Sequence, residues 1–125
     1  MVFFFFLSLS LLLLFTHHSA INATTLALFD AGIPCKDYVV SCTAGHLDKC
    51  PLLDLNYEEE SSGGPMVTVS MAPSTGVILT TEMISKMSID AFEETMKLSQ
   101  DGCQQIYVRN FSLLCPILFL LLNDL

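Results

Sequence analysis

The chain has 125 residues, which allows one domain at most. Its net charge is −8, with five Lys and Arg against thirteen Asp and Glu, so it carries no basic patch of its own for nucleic acid. A polyanion bound here would need positive charge from another chain or from a bound metal ion. Apolar residues are concentrated in Met1–Phe15 and Pro116–Leu122, and the part between them has an ordinary soluble composition.

The cysteines are predicted to be reduced and buried, as in an intracellular protein. They form no C-x-x-C motif and no Cys/His pair, which argues against a zinc site. Their odd number and their apolar neighbours favour free thiols over a disulfide framework. The five are Cys35, Cys42, Cys50, Cys103 and Cys115.

The apolar run Val2–Phe15 has the length of a signal-peptide core and is too short to span a bilayer, which takes roughly 20 residues. Cleavage at Ala20 would make the chain a small secreted protein, and N-glycosylation sequons at Asn22 and Asn110 would suit that interpretation. No basic residue precedes the run, however, and a non-native leader explains it equally well. Both interpretations stay open at this point.

The first regular elements are predicted to be a helix and a strand. Residues at helical spacing from Ile21 onward predict a helix that ends at Gly32, because glycine suits the position after a helix end and Pro34 prevents the helix from resuming. The β-branched and aromatic residues of 37–47 then predict a strand. His46, with no second histidine near it in sequence, is interpreted as a surface residue.

The most acidic stretch, 51–65, follows. It begins with Pro-Leu-Leu-Asp-Leu-Asn, whose alternation predicts a strand with one apolar face. Asp54 on that strand and Glu60 six residues later could bind a divalent metal ion or carry out acid/base chemistry. A solvated strand end has the same residues, so both interpretations stay open.

A hairpin and a helix complete the pattern. Residues 67–72 and 77–83 alternate apolar and polar around Pro-Ser-Thr-Gly, which predicts two antiparallel strands. Ser88 is the predicted N-cap of a helix whose apolar stripe, within 89–106, is assigned to core packing. Pro116 is predicted to interrupt any continuation of this helix.

This order of elements predicts an α+β half-domain, with a small mixed sheet and helices packed on one face. Such a sheet would have uncapped edges, which indicates part of something larger. The C-terminal apolar run is also too short to span a bilayer, and no membrane partner is expected.

Three phrases resemble the C-terminal half of an RNase PH-type domain, which has the ribosomal protein S5 domain 2-like fold. The phrases Ile-Asn-Ala-Thr-Thr-Leu-Ala-Leu, from Ile21, and Asp-Ala-Gly-Ile-Pro, from Asp30, resemble that domain's central helix and its exit. The phrase Pro-Leu-Leu-Asp-Leu-Asn-Tyr, from Pro51, with Gly-Gly-Pro after it, resembles the exosome branch. The nearest resemblance is to a plant-like form of the ribosomal RNA-processing subunit closest to the archaeal catalytic subunits.

The resemblance divides the chain into three parts. Residues 20–110 resemble the domain, 1–19 form an unrelated apolar leader, and 111–125 form a divergent apolar tail. Family membership implies a core ring subunit of the exosome, together with other RNase PH-like subunits and RNA-binding cap subunits, through which RNA is threaded. It implies 3′→5′ RNA processing and degradation, including rRNA processing and mRNA decay, in the nucleus, nucleolus and cytoplasm.

The resemblance also implies which residues would be catalytic. The family's acidic pair, which acts as metal ligands and general acid with Mg²⁺ and with inorganic phosphate as co-substrate, maps onto Asp54 and Glu60. The family has Asp at the second position, and the longer Glu60 moves the carboxylate by about an ångström, a misplacement that costs on the order of a hundredfold in rate. The family's phosphate- and RNA-binding arginines lie in the N-terminal half, which has no counterpart here. An isolated chain without activity is therefore expected, and an active phosphate-dependent exoribonuclease within the ring is the alternative.

Overall fold

The computed structural model describes residues 17–47 and 50–123, with side chains placed in 17–47 and 50–110. The predictions made for Val2–Phe15 lie outside the described residues. The elements are α1 (His17–Asp30), β1 (Val40–Leu47), β2 (Cys50–Leu53), α2 (Tyr57–Ser61), β3 (Met66–Ala72), β4 (Val77–Ile84) and α3 (Ile89–Asn123).

The strands form one four-stranded sheet in the order β2-β1-β3-β4. The predicted α+β class is confirmed, but the sheet is antiparallel throughout rather than mixed. The reason lies in the connections, since β1–β2 and β3–β4 are joined by far fewer residues than the dozen or more that a parallel crossover needs. The predicted hairpin is β3–β4, and Gly76 takes a φ of 71° at its turn.

Helix α3 covers one face of the sheet, where it packs on a core formed by Val40, Cys42 and Met71. Cys103 of α3 is fully buried in this core and Ile106 packs against it, which confirms the later part of the predicted apolar stripe, but Ile89 at its start is 84% exposed. The helix approaches closely because Gly102 has no side chain: a Cβ there would lie 2.7 Å from the Cys42 sulfur. The close approach brings α3 onto the β1–β2 end of the sheet.

Polar residues fill the other side of β1 and β3. Ser41 lies opposite Ser70 and Thr43 lies opposite Thr68 in the strand register. Their hydroxyl oxygens are 3.0 Å and 2.7 Å apart, respectively. Each hydroxyl therefore has a partner, which is what burial of a polar group requires. The sequence pattern did not predict this polar layer.

Helix α1 lies along the part of the β1 edge that β2 leaves unpaired. The Asn22 side-chain amide donates to the Ser41 carbonyl and accepts from the Ser41 N–H, both at 2.8 Å. The Thr25 hydroxyl donates to the Val39 carbonyl at 2.7 Å. Helix α1 also contacts β3, and its His18 ring lies against Thr43 of the polar layer, so the two helices are not both on one face as expected. A glycan on Asn22 would destroy the amide pair, so this sequon is not available in the folded domain.

The local signals for helix ends gave mixed results. Gly32 follows α1 with a φ of 66°, and the Ser88 hydroxyl accepts from the Ala91 N–H at 3.3 Å at the start of α3, as predicted. The predicted interruption at Pro116 is wrong, because the backbone of α3 is helical to Asn123. A proline removes one backbone hydrogen bond and bends a helix, but it does not have to end one. No described helix is long and apolar enough to cross a membrane.

The cysteine prediction is half correct. Among the residues with described side chains, four cysteines are free, but Cys35 and Cys50 are exposed. Cys42 and Cys103 are buried, and burial raises the pKa of their thiols to about 11 and about 12. These two thiols are therefore protonated at neutral pH and are core residues rather than nucleophiles.

Candidate functional site

Asp54 stands at the end of β2, where the strand turns away from the sheet. Its φ is 58°, a left-handed conformation that Asp tolerates better than most residues do. Its N–H donates to the Thr43 carbonyl at 2.9 Å, which fixes the turn. The strand therefore ends at Leu53 instead of continuing through Leu55, and Leu55 packs over Gly45. The turn leaves the Asp54 side chain 78% exposed.

His18 of α1 connects Asp54 to the polar layer of the sheet. Its Nδ1 is 2.9 Å from the Thr43 hydroxyl, and its Nε2 is 3.7 Å from Oδ1 of Asp54. Burial lowers the pKa of His18 below its ordinary value of 6.5, although the carboxylates of Asp54 and Glu60 oppose that shift. The ring is therefore neutral at pH 7. At 3.7 Å the contact with Asp54 is too long for a hydrogen bond, and with a neutral ring it is not a salt bridge.

Glu60 lies in the short helix α2, which the sequence interpretation treated as a strand end. Asn56 caps this helix: its side chain accepts from the Glu59 N–H at 2.9 Å, while the Glu59 carboxylate accepts from the Asn56 N–H at 2.8 Å. This capping box occupies Glu59. Both carboxylates favour the protonated form of His18, and Asp54 is the one that lies against the ring, 3.7 Å from Nε2.

A cleft of about 390 Å³ opens beside Asp54. Helix α1 and helix α3 form its walls, and the end of β2 lies between them. Its lining comprises His18, Ser19, Asn22, Cys42, Leu53, Asp54, Gly102, Gln105, Ile106 and Arg109. Sequence reasoning missed His18 and Arg109. Arg109 could have been found from its helical spacing, because Gly102, Gln105 and Arg109 lie on one face of the helix.

The cleft combines a carboxylate, an imidazole, a guanidinium and amide groups. Arg109 gives it a cation on the same side of the molecule as Asp54. Cys42 supplies no nucleophile, because its thiol is protonated. Within the described part of the chain, no three His, Cys, Asp or Glu side chains are grouped so that they could hold a metal ion. The assignment of Asp54 and Glu60 as catalytic residues and metal ligands stays a prediction.

Comparison with known proteins identifies the family to which the chain belongs. Residues 37–102, more than half of the chain, match the family model described as 3′ exoribonuclease family, domain 2. The chain belongs to the 3′ exoribonuclease family. The matched range contains β1 to β4, Asp54, Glu60 and the first part of α3, up to Gly102 at the cleft.

Members of the 3′ exoribonuclease family with similar sequences are exosome components. The chain is 47% identical over 94 residues to an exosome complex component RRP41 homolog of Arabidopsis thaliana, a match that covers 75% of this chain and 39% of that protein. It is 36% identical over 92 residues to exosome complex component RRP41 of Mus musculus, which covers 74% of this chain and 38% of that protein. The resemblance to the exosome branch is thereby confirmed. The chain spans about two fifths of the length of these relatives.

A solved structure agrees with this family assignment. The crystal structure of rice (Oryza sativa) Rrp46 matches with a TM-score of 0.65 and 26% sequence identity. The match covers 72% of this chain and 43% of that one. The fold described above is therefore that of the second domain of this family.

Proposed function

We propose that the chain is a core ring component of the RNA exosome. The observation that carries this proposal is the 47% identity over three quarters of the chain to an exosome complex component, in the same region that matches the second domain of the family. Its proposed partners are the other RNase PH-like ring subunits and the RNA-binding cap subunits. Its proposed place of action is the nucleus, the nucleolus and the cytoplasm, in rRNA processing and mRNA decay.

The chain's own contribution is the acidic side of a split active site. Asp54 is exposed at the cleft, so its carboxylate is available to a ligand, and the half-buried Glu60 is the proposed second carboxylate. Two carboxylates fit Mg²⁺, which proteins often hold through one or two carboxylates together with substrate phosphates. When bound, Mg²⁺ would neutralise negative charge on the transferring phosphate. The basic counterpart comes in part from Arg109 and otherwise from neighbouring subunits.

Co-purification tests the ring proposal. A tagged full-length chain is expressed in cells of its source and purified under conditions that keep ring assemblies intact. We expect other RNase PH-like subunits to be recovered with it. The Asp54→Asn variant is the matched control, because Asp54 is exposed and Asn also tolerates its left-handed φ of 58°, so recovery should be the same. Failure to recover any ring subunit with either chain would contradict the proposal.

An active phosphate-dependent 3′→5′ exoribonuclease within the ring is a second candidate. The observation that favours it is the cleft, which places Arg109 and His18 beside Asp54. Phosphorolysis brings an attacking phosphate against a like-charged RNA backbone, and a guanidinium stabilises such charge. The reaction breaks the terminal phosphodiester bond and forms a bond from that phosphorus to an oxygen of inorganic phosphate, which releases a nucleoside diphosphate.

Nucleoside diphosphate release from single-stranded RNA, with phosphate and Mg²⁺, tests this candidate in the assembled ring. Asp54→Ala should abolish release, and Arg109→Gln should reduce it. Glu60→Asp should raise it by up to about a hundredfold, because it moves the carboxylate by about an ångström to the family's position. Glu58→Asp, an exposed neighbour, is the matched control and should change nothing. No release, or release that Asp54→Ala leaves intact, would rule the activity out.

A further inference from the structure

Strand β4 (Val77–Ile84) is exposed along its whole length. Helices α1 and α3 lie against β1, β2 and β3, so the cover of the sheet ends before β4. Five large apolar residues of β4 are exposed: Val77 (53%), Ile78 (36%), Leu79 (51%), Met83 (53%) and Ile84 (55%). The outer backbone groups of this edge strand have no partner strand in the sheet order. A long apolar edge of this kind is a template for pairing with another strand.

The opposite edge of the sheet is closed to such pairing. Strand β2 has only four residues, and its Pro51 has no N–H to donate. Beyond the end of β2, the side chains of Asn22 and Thr25 already bond to the backbone of β1. A β4 edge therefore has no β2 edge to join. The remaining pairing within one kind of molecule is β4 with β4, which closes at two copies instead of growing into a fibre.

The sequence of β4 suits pairing with itself. It has apolar residues at both ends and the polar residues Thr80, Thr81 and Glu82 near the middle, so an antiparallel pair sets apolar ends against apolar ends. Glu82 is the only charged residue of the strand. A register centred on Thr81 places each Glu82 opposite Thr80 of the other copy, so the carboxylates do not face each other directly.

We propose that β4 pairs antiparallel with β4 of a second copy of this chain, which makes one continuous sheet with four strands from each copy. The contact involves one strand per copy, and it is smaller than the roughly 800 Å² per partner of a standard interface. We therefore expect a reversible dimer that dissociates on dilution. The proposal is independent of the ring function, since it concerns copies of this chain alone.

Sedimentation equilibrium of the full chain over a range of concentrations tests the dimer. The buffer contains a reductant, because Cys35 and Cys50 are exposed. The test variants are Leu79→Lys and Met83→Lys, whose native residues are about half exposed and can be replaced without disturbing the core. Lysines on an edge strand oppose strand pairing, and we expect the dimer to weaken by about tenfold or more.

Ile89→Lys and Val108→Lys are the matched controls, because they make the same change at exposed apolar residues of α3. They should leave the dissociation constant of the dimer unchanged. Hydrogen exchange at the β4 amides should be slow in the dimer and fast in Leu79→Lys.

Three results would overturn the proposal. The first is a chain that stays monomeric at every concentration. The second is association that Leu79→Lys and Met83→Lys leave intact, since another surface would then be responsible. The third is slow exchange at β4 in the monomer, which would mean that another part of the same chain, such as 1–16, covers the strand.

Discussion

One edge of the sheet is β2, four residues long and bordered by helices; the other is β4, eight residues long and exposed throughout. The edges differ in their backbone groups, since Pro51 of β2 lacks an N–H, and also in the side chains around them. At the β2 edge an amide of α1 occupies the free backbone of β1, and Gly102 lets α3 come close. The candidate cleft lies at that edge because two helices and a strand end converge there.

The comparison shows that the covered edge contains the candidate cleft, whereas the bare edge, β4, is free to pair with another strand. At the covered edge, the Thr43 hydroxyl holds the His18 ring, and the Thr43 carbonyl accepts from the backbone N–H of Asp54. At the bare edge, apolar side chains have no such partner. Four changes would break or sharpen this contrast, and they are taken from the largest expected effect to the smallest.

Asn22→Ala should be the most destabilising change. It removes both hydrogen bonds to Ser41, which is fully buried, and leaves the backbone N–H and carbonyl of Ser41 without these partners. Leaving one buried polar group unsatisfied costs about 1–3 kcal/mol, so we expect the free energy of unfolding to fall by about 2–4 kcal/mol. Urea denaturation measures it. Thr24→Ala, an exposed neighbour in the same helix, should cost less than about 1 kcal/mol. Equal effects for the two variants would mean that the amide does not hold the edge.

Gly102→Ala should have the next largest effect. The added methyl group would meet the Cys42 sulfur and a methyl of Leu53 at less than 3 Å, so these side chains or α3 itself have to shift. Overpacking of this kind costs about 1–3 kcal/mol, and the better helix propensity of alanine returns up to about 1 kcal/mol. We expect a net loss of about 1–2 kcal/mol in the free energy of unfolding. Asp101→Ala, at the exposed neighbouring position, is the control and should show no loss.

The third prediction concerns pH. Because burial lowers the pKa of His18 below 6.5 in the folded chain, the unfolded chain binds a proton there that the folded chain does not. The stability that depends on neutral His18 is fully present above pH 6.5 and is lost as the pH falls from 6.5 towards the folded-state pKa. His18→Gln should remove this dependence. Urea denaturation of both chains at several pH values between about 7 and 5 gives the difference, and two parallel profiles would show that His18 is not buried as described.

Ile84→Thr in β4 should have the smallest effect. Ile84 is 55% exposed, and a surface substitution of this type changes the free energy of unfolding by about 0.5 kcal/mol or less. Val69→Thr, in the neighbouring strand β3, replaces a fully buried residue and should cost about 1–3 kcal/mol. Both are measured at dilution, where the β4 dimer is dissociated. Similar losses for the two variants would mean that β4 is covered in the monomer.

Local signals predicted the elements well, because each depends on a few neighbouring residues. The end of α1 at Gly32, the β3–β4 hairpin and the Ser88 cap are examples. The capping box of α2 was also present in the sequence, as Asn56 followed three residues later by Glu59, but the leucine alternation before it led to a strand interpretation. Pro116 does not end α3, because a helix can accommodate a proline by bending.

The candidate site could be predicted only in part. The acidic pattern and the family resemblance both predict Asp54 and Glu60, whereas neither predicts His18, which lies beside Asp54 but belongs to a different element far away in sequence. Arg109 reaches the cleft only because Gly102 allows α3 to approach β1. The polar layer of Ser41, Thr43 and their partners depends on strand register, which alternation alone does not fix.

Native mass spectrometry of a reconstituted ring tests the central claim most directly. The full chain is mixed with the other RNase PH-like exosome subunits, with the longer RRP41-type subunit left out. The account predicts an assembly that contains this chain in the place of the omitted subunit. The measured mass should correspond to one copy of this chain for each omitted subunit. Assemblies that never contain the chain, although it is folded and present in excess, would contradict the account.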